Sequence, residues 1–198
     1  MSVQPRSRYT VPDYLALERS TEVRHEYLDG EVFAMGGASY AHTVVAANVA
    51  RELGNQLKDK ACRVSSADLR VKVSRSGLYT YPDIVVVCGP PQLEQPGDTL
   101  LNPQVIIEVL SDSTEAYDRG KKFEHYRSIE TLSDYLLVSQ DRYQIECFSR
   151  EADGRWIYSA QAGSDRSMPI ESIGCLLALR EVFAKVDGVY EPSAAPYR

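Results

Sequence analysis

Three short apolar runs constrain the fold of this 198-residue chain more than any other feature of its sequence. Residues 84–87 and 135–138 are wholly apolar, and residues 105–110 are apolar except for one glutamate. Runs of this length that are apolar on both faces are typical of strands at the centre of a sheet whose two faces are covered. They therefore predict a buried sheet.

A segment with helical periodicity precedes these runs in the chain. Val45, Val49, Leu53 and Leu57 recur every four residues and form one apolar stripe, which predicts a helix over about 40–58. A mixed sheet flanked by helices, and hence an α/β fold, follows from apolar strands that alternate with such segments. We expect a single domain over residues 1–198, with its core at about 9–187 and loose termini.

Local signals add further elements. Asp112 followed by Glu115 resembles a helix start and predicts a second helix that reaches about Arg127. Asp29-Gly30 predicts the turn of a hairpin. Alternation within 69–73 predicts a half-exposed strand.

Composition excludes several classes of protein. A net charge of −6 argues against a general nucleic-acid coat protein, although it permits a local basic groove. No apolar stretch approaches the ~20 residues that span a bilayer, and the first residues do not resemble a signal peptide, so we expect a cytoplasmic protein with no membrane partner.

The cysteines do not have the spacing of a zinc site. No cysteine pair has C-x-x-C spacing, which argues against bound zinc. We expect four free, buried cysteines, namely Cys62, Cys88, Cys147 and Cys175.

Two acidic residues at the apolar strands carry the functional hypothesis. Glu108 lies inside the run 105–110, where an ionised carboxylate is costly unless a metal or a basic group compensates it. Asp83 follows Pro82 at the start of the run 84–87. Two carboxylates at neighbouring strand ends can supply the oxygen ligands that Mg²⁺ accepts, with water in the remaining positions.

The order Pro82-Asp83, then Glu108, then a lysine resembles the PD-(D/E)XK nucleases. The usual lysine position, two residues after the second acid, holds Leu110, so the lysine would come from the following helix. The segments 108–114, 118–122 and 134–138, together with Tyr126, closely resemble the Uma-two family of restriction-endonuclease-like nucleases. The resemblance covers roughly residues 9–185 and implies a restriction-endonuclease-like fold.

The resemblance also implies roles for individual residues. Asp83, Glu108 and the backbone carbonyl of Val109 would bind Mg²⁺ or Mn²⁺, and Lys122 would steady the attacking water or the scissile phosphate. Further candidates for the site are His42, Asp118, and Glu31 or Glu26 as an outer acid.

Each assignment has a simpler alternative. Asp118 and Lys122 also have the spacing of a surface ion pair on a helix. Asp83, which follows a proline, could instead be a carboxylate in a turn. His42 could instead be an ordinary residue at the start of a helix. Candidate contacts to DNA phosphates are basic residues that are equally compatible with ordinary solvent-facing positions, namely Arg70, Lys72, Arg119 and Lys121.

The resemblance therefore implies a Mg²⁺- or Mn²⁺-dependent endonuclease that hydrolyses DNA phosphodiester bonds. We expect a homodimer, because two sites are the simplest way to cut both strands of a duplex. The alternative is a non-catalytic descendant of the same fold that binds nucleic acid or acts as a structural dimer. The negative net charge and the missing lysine at position 110 favour that alternative.

Overall fold

The computed structural model describes residues 8–111 and 113–192, and within these ranges the chain is a mixed α/β protein. Two six-stranded mixed sheets and one two-stranded sheet are accompanied by a few helices. The predicted fold class, a mixed central sheet flanked by helices, is confirmed. The second six-stranded sheet was not predicted from the sequence.

The elements follow in chain order. The first part of the chain contains α1 (Val11–Ser20), β1 (His25–Leu28), β2 (Glu31–Ala34), α2 (Tyr40–Leu57), β3 (Cys62–Ser66), β4 (Arg70–Val73), β5 (Leu78–Thr80), β6 (Ile84–Cys88), β7 (Leu93–Glu94) and β8 (Thr99–Leu100). The second part contains β9 (Val105–Val109), α3 (Glu115–Tyr117), a π-helical turn (Asp118–Lys122), α4 (Phe123–Tyr126), β10 (Asp134–Val138), β11 (Gln144–Arg150), β12 (Trp156–Ala162), β13 (Ser167–Ile170), a 3-10 turn (Glu171–Ile173), β14 (Cys175–Ala178) and α5 (Leu179–Val182).

The core sheet has the strand order β12-β11-β10-β9-β6-β3. Strands β9 and β10 are parallel, and the other neighbours in this sheet are antiparallel. Side chains alternate between its faces, so Ile107 and Val109 belong to the apolar cluster that includes α2, whereas Ile106 belongs to the cluster on the opposite face. Glu108 consequently points to the same face as Ile106.

Helix α2 covers one face of the core sheet. Its stripe of Val45, Val49, Leu53 and Leu57 is almost fully buried, as the four-residue spacing predicts. The helix begins after Ser39, whose side chain accepts a hydrogen bond from the backbone N–H of residue 42. This cap fixes the residue at which α2 begins.

The outer sheet has the strand order β2-β1-β5-β4-β8-β7 and packs its apolar side chains against the second face of the core sheet. Strands β1 and β2 form the predicted hairpin around Asp29-Gly30. The expectation of a half-exposed strand at 69–73 is wrong for β4. Val71 and Val73 are buried between the two sheets, and Arg70 is buried on the opposite face of the outer sheet, beside Tyr14 of α1.

The second predicted helix is helical from Glu115 to Tyr126, but it is not a regular α-helix. A π-helical turn at Asp118–Lys122 separates α3 from α4. Thr114 precedes the first helical residue and makes no side-chain capping hydrogen bond. The predicted capping residue Asp112 lies outside the described residues.

The expectation of four free cysteines is wrong for two of them. Cys62 on β3 and Cys88 on β6 lie directly opposite each other in the antiparallel ladder and form a disulfide. Cys147 and Cys175 are free and buried, as expected. No helix in the described part of the chain combines the length and the apolar character needed to cross a bilayer.

Candidate active site

The antiparallel pairing of β6 and β9 places the two predicted acids side by side. Ile84 lies opposite Ile107, so one step further along the same register puts Asp83 opposite Glu108. The backbone N–H of Asp83 donates to Oε2 of Glu108 at 3.4 Å, and the N–H of Val109 donates to Oδ2 of Asp83 at 2.7 Å. The two carboxylates therefore meet at the end of the paired strands.

Lys122 reaches this pair from the π-helical turn. Its Nζ lies 3.0 Å from Oε1 of Glu108, 3.2 Å from Oδ1 of Asp118 and 3.5 Å from Oε1 of Glu26. The lysine side chain is only 7% exposed. The Asp118–Lys122 pair is thus present, but it is a buried pair beside Glu108 and not the surface pair that the helical spacing alone also allowed.

The helical segment that follows β9 closes the cluster. Single π-helical turns within a helix are frequently found at functional sites, and here both ends of the turn, Asp118 and Lys122, are buried. One helical turn later the hydroxyl of Tyr126 donates to Oε1 of Glu108 at 2.9 Å. The hydroxyl of Tyr135 donates to the backbone carbonyl of Asp118 at 3.0 Å and so holds the start of the turn.

Burial dominates the electrostatics of the cluster. Burial raises the pKa of Glu108 to about 8; the nearby Lys122 opposes this rise, whereas Asp83 and Asp118 add to it. Burial alone would lower the pKa of Lys122, but the carboxylates of Glu108, Glu26 and Asp118 outweigh it and hold that pKa well above the ordinary value. The lysine is therefore a permanent positive charge among acids at neutral pH.

A cavity of about 390 Å³ opens onto this cluster. Asp83 and Glu108 line it, together with Lys122 and His42. Nε2 of His42, in the first turn of α2, lies 3.0 Å from Oδ1 of Asp83. The structure therefore brings His42 to the acids, and a metal-bound Asp83 would have its second oxygen oriented by this histidine.

The donor set fits a hard cation with few protein ligands. Among the described residues there is no group of three or more His, Cys, Asp or Glu side chains placed to hold a metal ion. Mg²⁺ does not need such a cage, because it is usually bound by one or two carboxylates, with water and substrate phosphate in its other positions. Asp83 and Glu108 can supply those two carboxylates.

The backbone of Val109 has the orientation that the predicted carbonyl ligand needs. In an extended strand, the N–H and the C=O of one residue point towards the same neighbouring strand. The N–H of Val109 donates to Asp83, so the carbonyl of Val109 faces the same side. Val109 also lines the cavity.

Several other predicted residues lie elsewhere. Glu31 is exposed at the start of β2, and the acid from this hairpin that reaches Lys122 is Glu26. Arg119 is engaged by Glu115 and by Glu146, which accepts two hydrogen bonds from its guanidinium. Lys121 is exposed and lies outside the cavity.

The structure corrects the prediction that Arg70 and Lys72 on β4 contact DNA phosphates. Arg70 is 3% exposed and donates to the hydroxyls of Thr99 and Tyr81, so it lies in the interior and cannot contact a DNA phosphate. Lys72 is half-buried and forms a hydrogen-bonded ion pair with Glu94. The alternation at 69–73 gave no warning of the burial of Arg70, because that burial depends on Tyr14 of α1 and on Tyr81 and Thr99, which lie elsewhere in the chain.

Sequence reasoning missed other residues of the site. Tyr126 was named only as part of the family resemblance, without a role; it is buried, and its hydroxyl contacts Glu108. The cavity is also lined by Phe33 and Tyr117, and by hydroxyl side chains that include Ser111. The position of Tyr126 one turn after Lys122 was the available signal for that residue. The hairpin at Asp29-Gly30 places Phe33 opposite Glu26, but the pairing of β1 with β5 that carries the hairpin to the site had no signal in the sequence.

Comparison with known proteins identifies relatives of this chain. The model of the Uma2 family, described as "Putative restriction endonuclease", matches residues 11–179. A relative from Synechocystis sp., "Uncharacterized protein slr1290", is 35% identical over 179 residues, which is 90% of this chain and 93% of the relative. A second protein from the same organism, "Uncharacterized protein sll1609", is 31% identical over 157 residues, covering 79% of this chain and 89% of that protein.

A solved structure shares the fold. The crystal structure of "a putative nuclease belonging to DUF820" from Anabaena variabilis superposes with a TM-score of 0.73, over 89% of this chain and 98% of that one, at 19% sequence identity. At this level of identity the similarity shows the fold alone. The family match covers most of the chain and includes the strands and the helical segment that carry Asp83, Glu108 and Lys122. This chain therefore belongs to the Uma2 family, and it has the fold of a restriction-endonuclease-like nuclease.

Proposed function

We propose that this protein is a Mg²⁺- or Mn²⁺-dependent endonuclease that hydrolyses phosphodiester bonds in DNA. The observation that carries the proposal is the convergence of Asp83, Glu108 and Lys122 in one cavity. These three residues come from two strands and a helical turn that are distant in sequence. A purely structural ion pair does not need a second carboxylate that lines an open cavity.

The reaction consumes one water molecule. The water oxygen forms a bond to phosphorus, the bond from phosphorus to one sugar oxygen breaks, and that sugar oxygen takes up a proton. A divalent cation held by Asp83, Glu108 and the carbonyl of Val109 would polarise the phosphate and lower the pKa of the attacking water.

The chain's own side chains prepare the site for this chemistry. Lys122 keeps its proton among the acids, and its fixed charge stabilises the negative charge that develops on the phosphate. Tyr126 fixes one oxygen of Glu108, and His42 fixes one oxygen of Asp83. The largely buried cluster limits solvent access, which strengthens each of these interactions.

The homodimer is part of the same proposal. Two copies of the site are the simplest arrangement for cutting both strands of a duplex. Analytical ultracentrifugation should then give a mass of twice the 22.1 kDa of the chain. If the protein is purely monomeric, it has one site per molecule, and we expect it to cut one strand of a duplex at a time.

Cleavage of a supercoiled plasmid tests the proposed function. With Mg²⁺ or Mn²⁺ the wild-type protein should convert the plasmid to nicked or linear forms, and EDTA should prevent this. Glu108→Gln keeps the size of the side chain but removes its charge, and it should abolish cleavage. Lys58→Gln changes an exposed lysine at the opposite end of α2 from His42 and should cleave like the wild type.

The outcomes separate the proposal from its alternative. No cleavage by the wild-type protein would favour the non-catalytic descendant of the fold. Equal cleavage by the wild type and by Glu108→Gln would place the activity elsewhere or in a contaminant.

A further inference from the structure

The rim of the site carries an aromatic side chain that the hydrolytic mechanism does not use. Phe33 lies on β2, the edge strand of the outer sheet, and its side chain is 50% exposed. The other three phenylalanines of the chain, Phe123, Phe148 and Phe183, all pack against aromatic rings. Phe33 is one of several large exposed hydrophobic side chains of the described residues, and what sets it apart is that it lines the cavity beside the acids.

Strand pairing fixes where this ring lies. Phe33 is directly opposite Glu26 in the β1–β2 ladder, and opposed residues present their side chains on the same face of a sheet. Glu26 is the acid from this hairpin that reaches Lys122. Phe33 itself lines the cavity. The exposed ring therefore lies at the mouth of the cavity, on the side of the carboxylate–lysine cluster.

The charges of the cavity do not suit an intact duplex. Among the described residues that line it, Lys122 is the only lysine or arginine, and its charge is already shared by three carboxylates. Of the predicted phosphate contacts, Arg70 is buried and Arg119 is engaged by glutamates. Duplex binding depends mainly on cationic contacts to the phosphates of both strands.

Uncharged groups dominate the rest of the cavity wall. The lining includes the stretch that follows Phe33, with Gly36 and Gly37, and also Ser111 and Ser113, whose hydroxyls lie within hydrogen-bonding distance of each other. Small uncharged residues leave room for a flat group, and hydroxyls can hydrogen-bond a single phosphate without a full charge. An aromatic ring can bind any nucleobase through stacking, because every base has a π-face.

We propose that the site takes an unpaired nucleotide of a DNA strand, whose base stacks on Phe33 while the adjacent phosphate reaches Asp83, Glu108 and Lys122. This substrate class rests on the proposed nuclease function, but the stacking contact does not require cleavage. Single-stranded or locally unpaired DNA is then the preferred ligand. A duplex such as the supercoiled plasmid is cut where its strands separate locally, and a short, fully paired duplex binds more weakly than the single strand.

Equilibrium binding with Ca²⁺ in place of Mg²⁺ tests the stacking contact directly, because Ca²⁺ also takes carboxylate and phosphate oxygens as ligands and supplies the cation that the phosphate needs beside Asp83 and Glu108. The probe is a short single-stranded oligonucleotide that carries 2-aminopurine, whose fluorescence is quenched when the base stacks, and the comparison is the same sequence in a duplex. The wild-type protein should bind the single strand more tightly and quench its fluorescence. Phe33→Ala should weaken single-strand binding by about 5- to 150-fold, the range expected for loss of one stacked base.

Two further variants make the result specific. Phe33→Trp should retain quenching, whereas Phe33→Leu, which stays apolar on the edge strand, should lose it. Tyr9→Ala removes a comparably exposed aromatic ring, 43% exposed, that does not line the cavity, and it should bind like the wild type.

The outcomes also separate this inference from the proposed function. Equal single-strand binding by the wild type and by Phe33→Ala, a wild-type preference for duplex, or no binding of the single strand at all would overturn the stacking proposal, whatever the plasmid assay gives. Loss of binding in Phe33→Ala, combined with no cleavage by the wild type, would support an unpaired-base site in a protein that is not a nuclease.

Discussion

Lys122 determines whether the buried acids of the site are tolerated in the fold. It contacts Glu108, Asp118 and Glu26, and all four side chains are largely buried. Removing one partner of a buried ion cluster leaves charges that neither water nor protein compensates. The same lysine thus serves stability and, in the proposed function, catalysis.

The first prediction follows from this burial. Lys122→Met should lower the free energy of unfolding by about 3 kcal/mol, because the remaining acids lose their cation. Urea denaturation monitored by circular dichroism measures the change. Lys121→Met, at the exposed neighbouring position, should change the stability by less than about 0.5 kcal/mol. Equal stability of the two variants would show that the lysine is not needed to balance the acids.

The second prediction concerns Glu108 and pH in metal-free protein. Its pKa is about 8 in the folded chain, mainly because of burial, against an ordinary value of 4.5. Between these values the unfolded chain binds fewer protons than the folded chain, so the contribution of Glu108 to stability is fully present below the unfolded pKa and is lost as the pH rises through the folded pKa. Stability should therefore fall across this interval.

Glu108→Gln provides the matched comparison, because glutamine resembles the protonated acid. Thermal or urea unfolding at a series of pH values in EDTA should show a shallower loss of stability for Glu108→Gln than for the wild type. Parallel curves for the two proteins would mean that Glu108 does not titrate with a raised pKa.

At the residue scale, the sequence predicted much of the site and misplaced part of it. Glu108 was identifiable because a carboxylate inside an apolar strand needs compensation, and Asp83 because it starts the neighbouring apolar run. The place of Phe33 beside the site was not predictable, because it depends on the long-range pairing of β1 with β5 that carries the hairpin there. The burial of Arg70 was not predictable either, because it depends on Tyr14 of α1, which is distant in sequence.

Among the elements, the regular ones were predictable and the irregular ones were not. Helix α2 has a clear apolar stripe, and the core strands have clear apolar runs. The π-helical turn has no such periodicity, because its extra residue is accommodated through contacts such as that between Tyr135 and the carbonyl of Asp118. A wholly regular helix would have placed Lys122 differently relative to Asp118, since each residue turns an α-helix by about 100°.

The disulfide between β3 and β6 supports the third prediction. It joins the edge strand of the core sheet to its neighbour, across a sequence separation of 26 residues. A cross-link over a loop of this length is expected to stabilise the fold by roughly 3–4 kcal/mol in the chain-entropy model. A reducing agent should therefore lower the midpoint of urea unfolding.

Paired serine substitutions control for other effects of the reductant. The variant with Cys62→Ser and Cys88→Ser should unfold at a lower urea concentration than the oxidised wild type, and its midpoint should not change when reductant is added. A wild-type midpoint that does not respond to reductant, although free thiols have been detected at Cys62 and Cys88, would contradict the stabilising role.

At the scale of the whole molecule, two mixed sheets pack face to face and leave one cavity beside the acids. Strand ends, the first turn of α2 and the π-helical turn all meet at this point. The sequence predicted the core sheet, but it could not predict that a second sheet covers one face, because the outer strands are short and carry no long apolar run. The site is thus a product of the global packing of the two sheets.

Metal binding is the central claim, because cleavage, the role of Lys122 and the placement of the phosphate all assume a cation at Asp83 and Glu108. Calorimetric titration with Mn²⁺ measures it most directly, for the wild type, for Asp83→Asn and for Glu108→Gln. Glu94→Gln, at an acid that pairs with Lys72 at the far edge of the outer sheet, is the matched control. We predict one Mn²⁺ per chain for the wild type and for Glu94→Gln, and no binding in the two site variants. Unchanged Mn²⁺ affinity in both site variants would contradict the account.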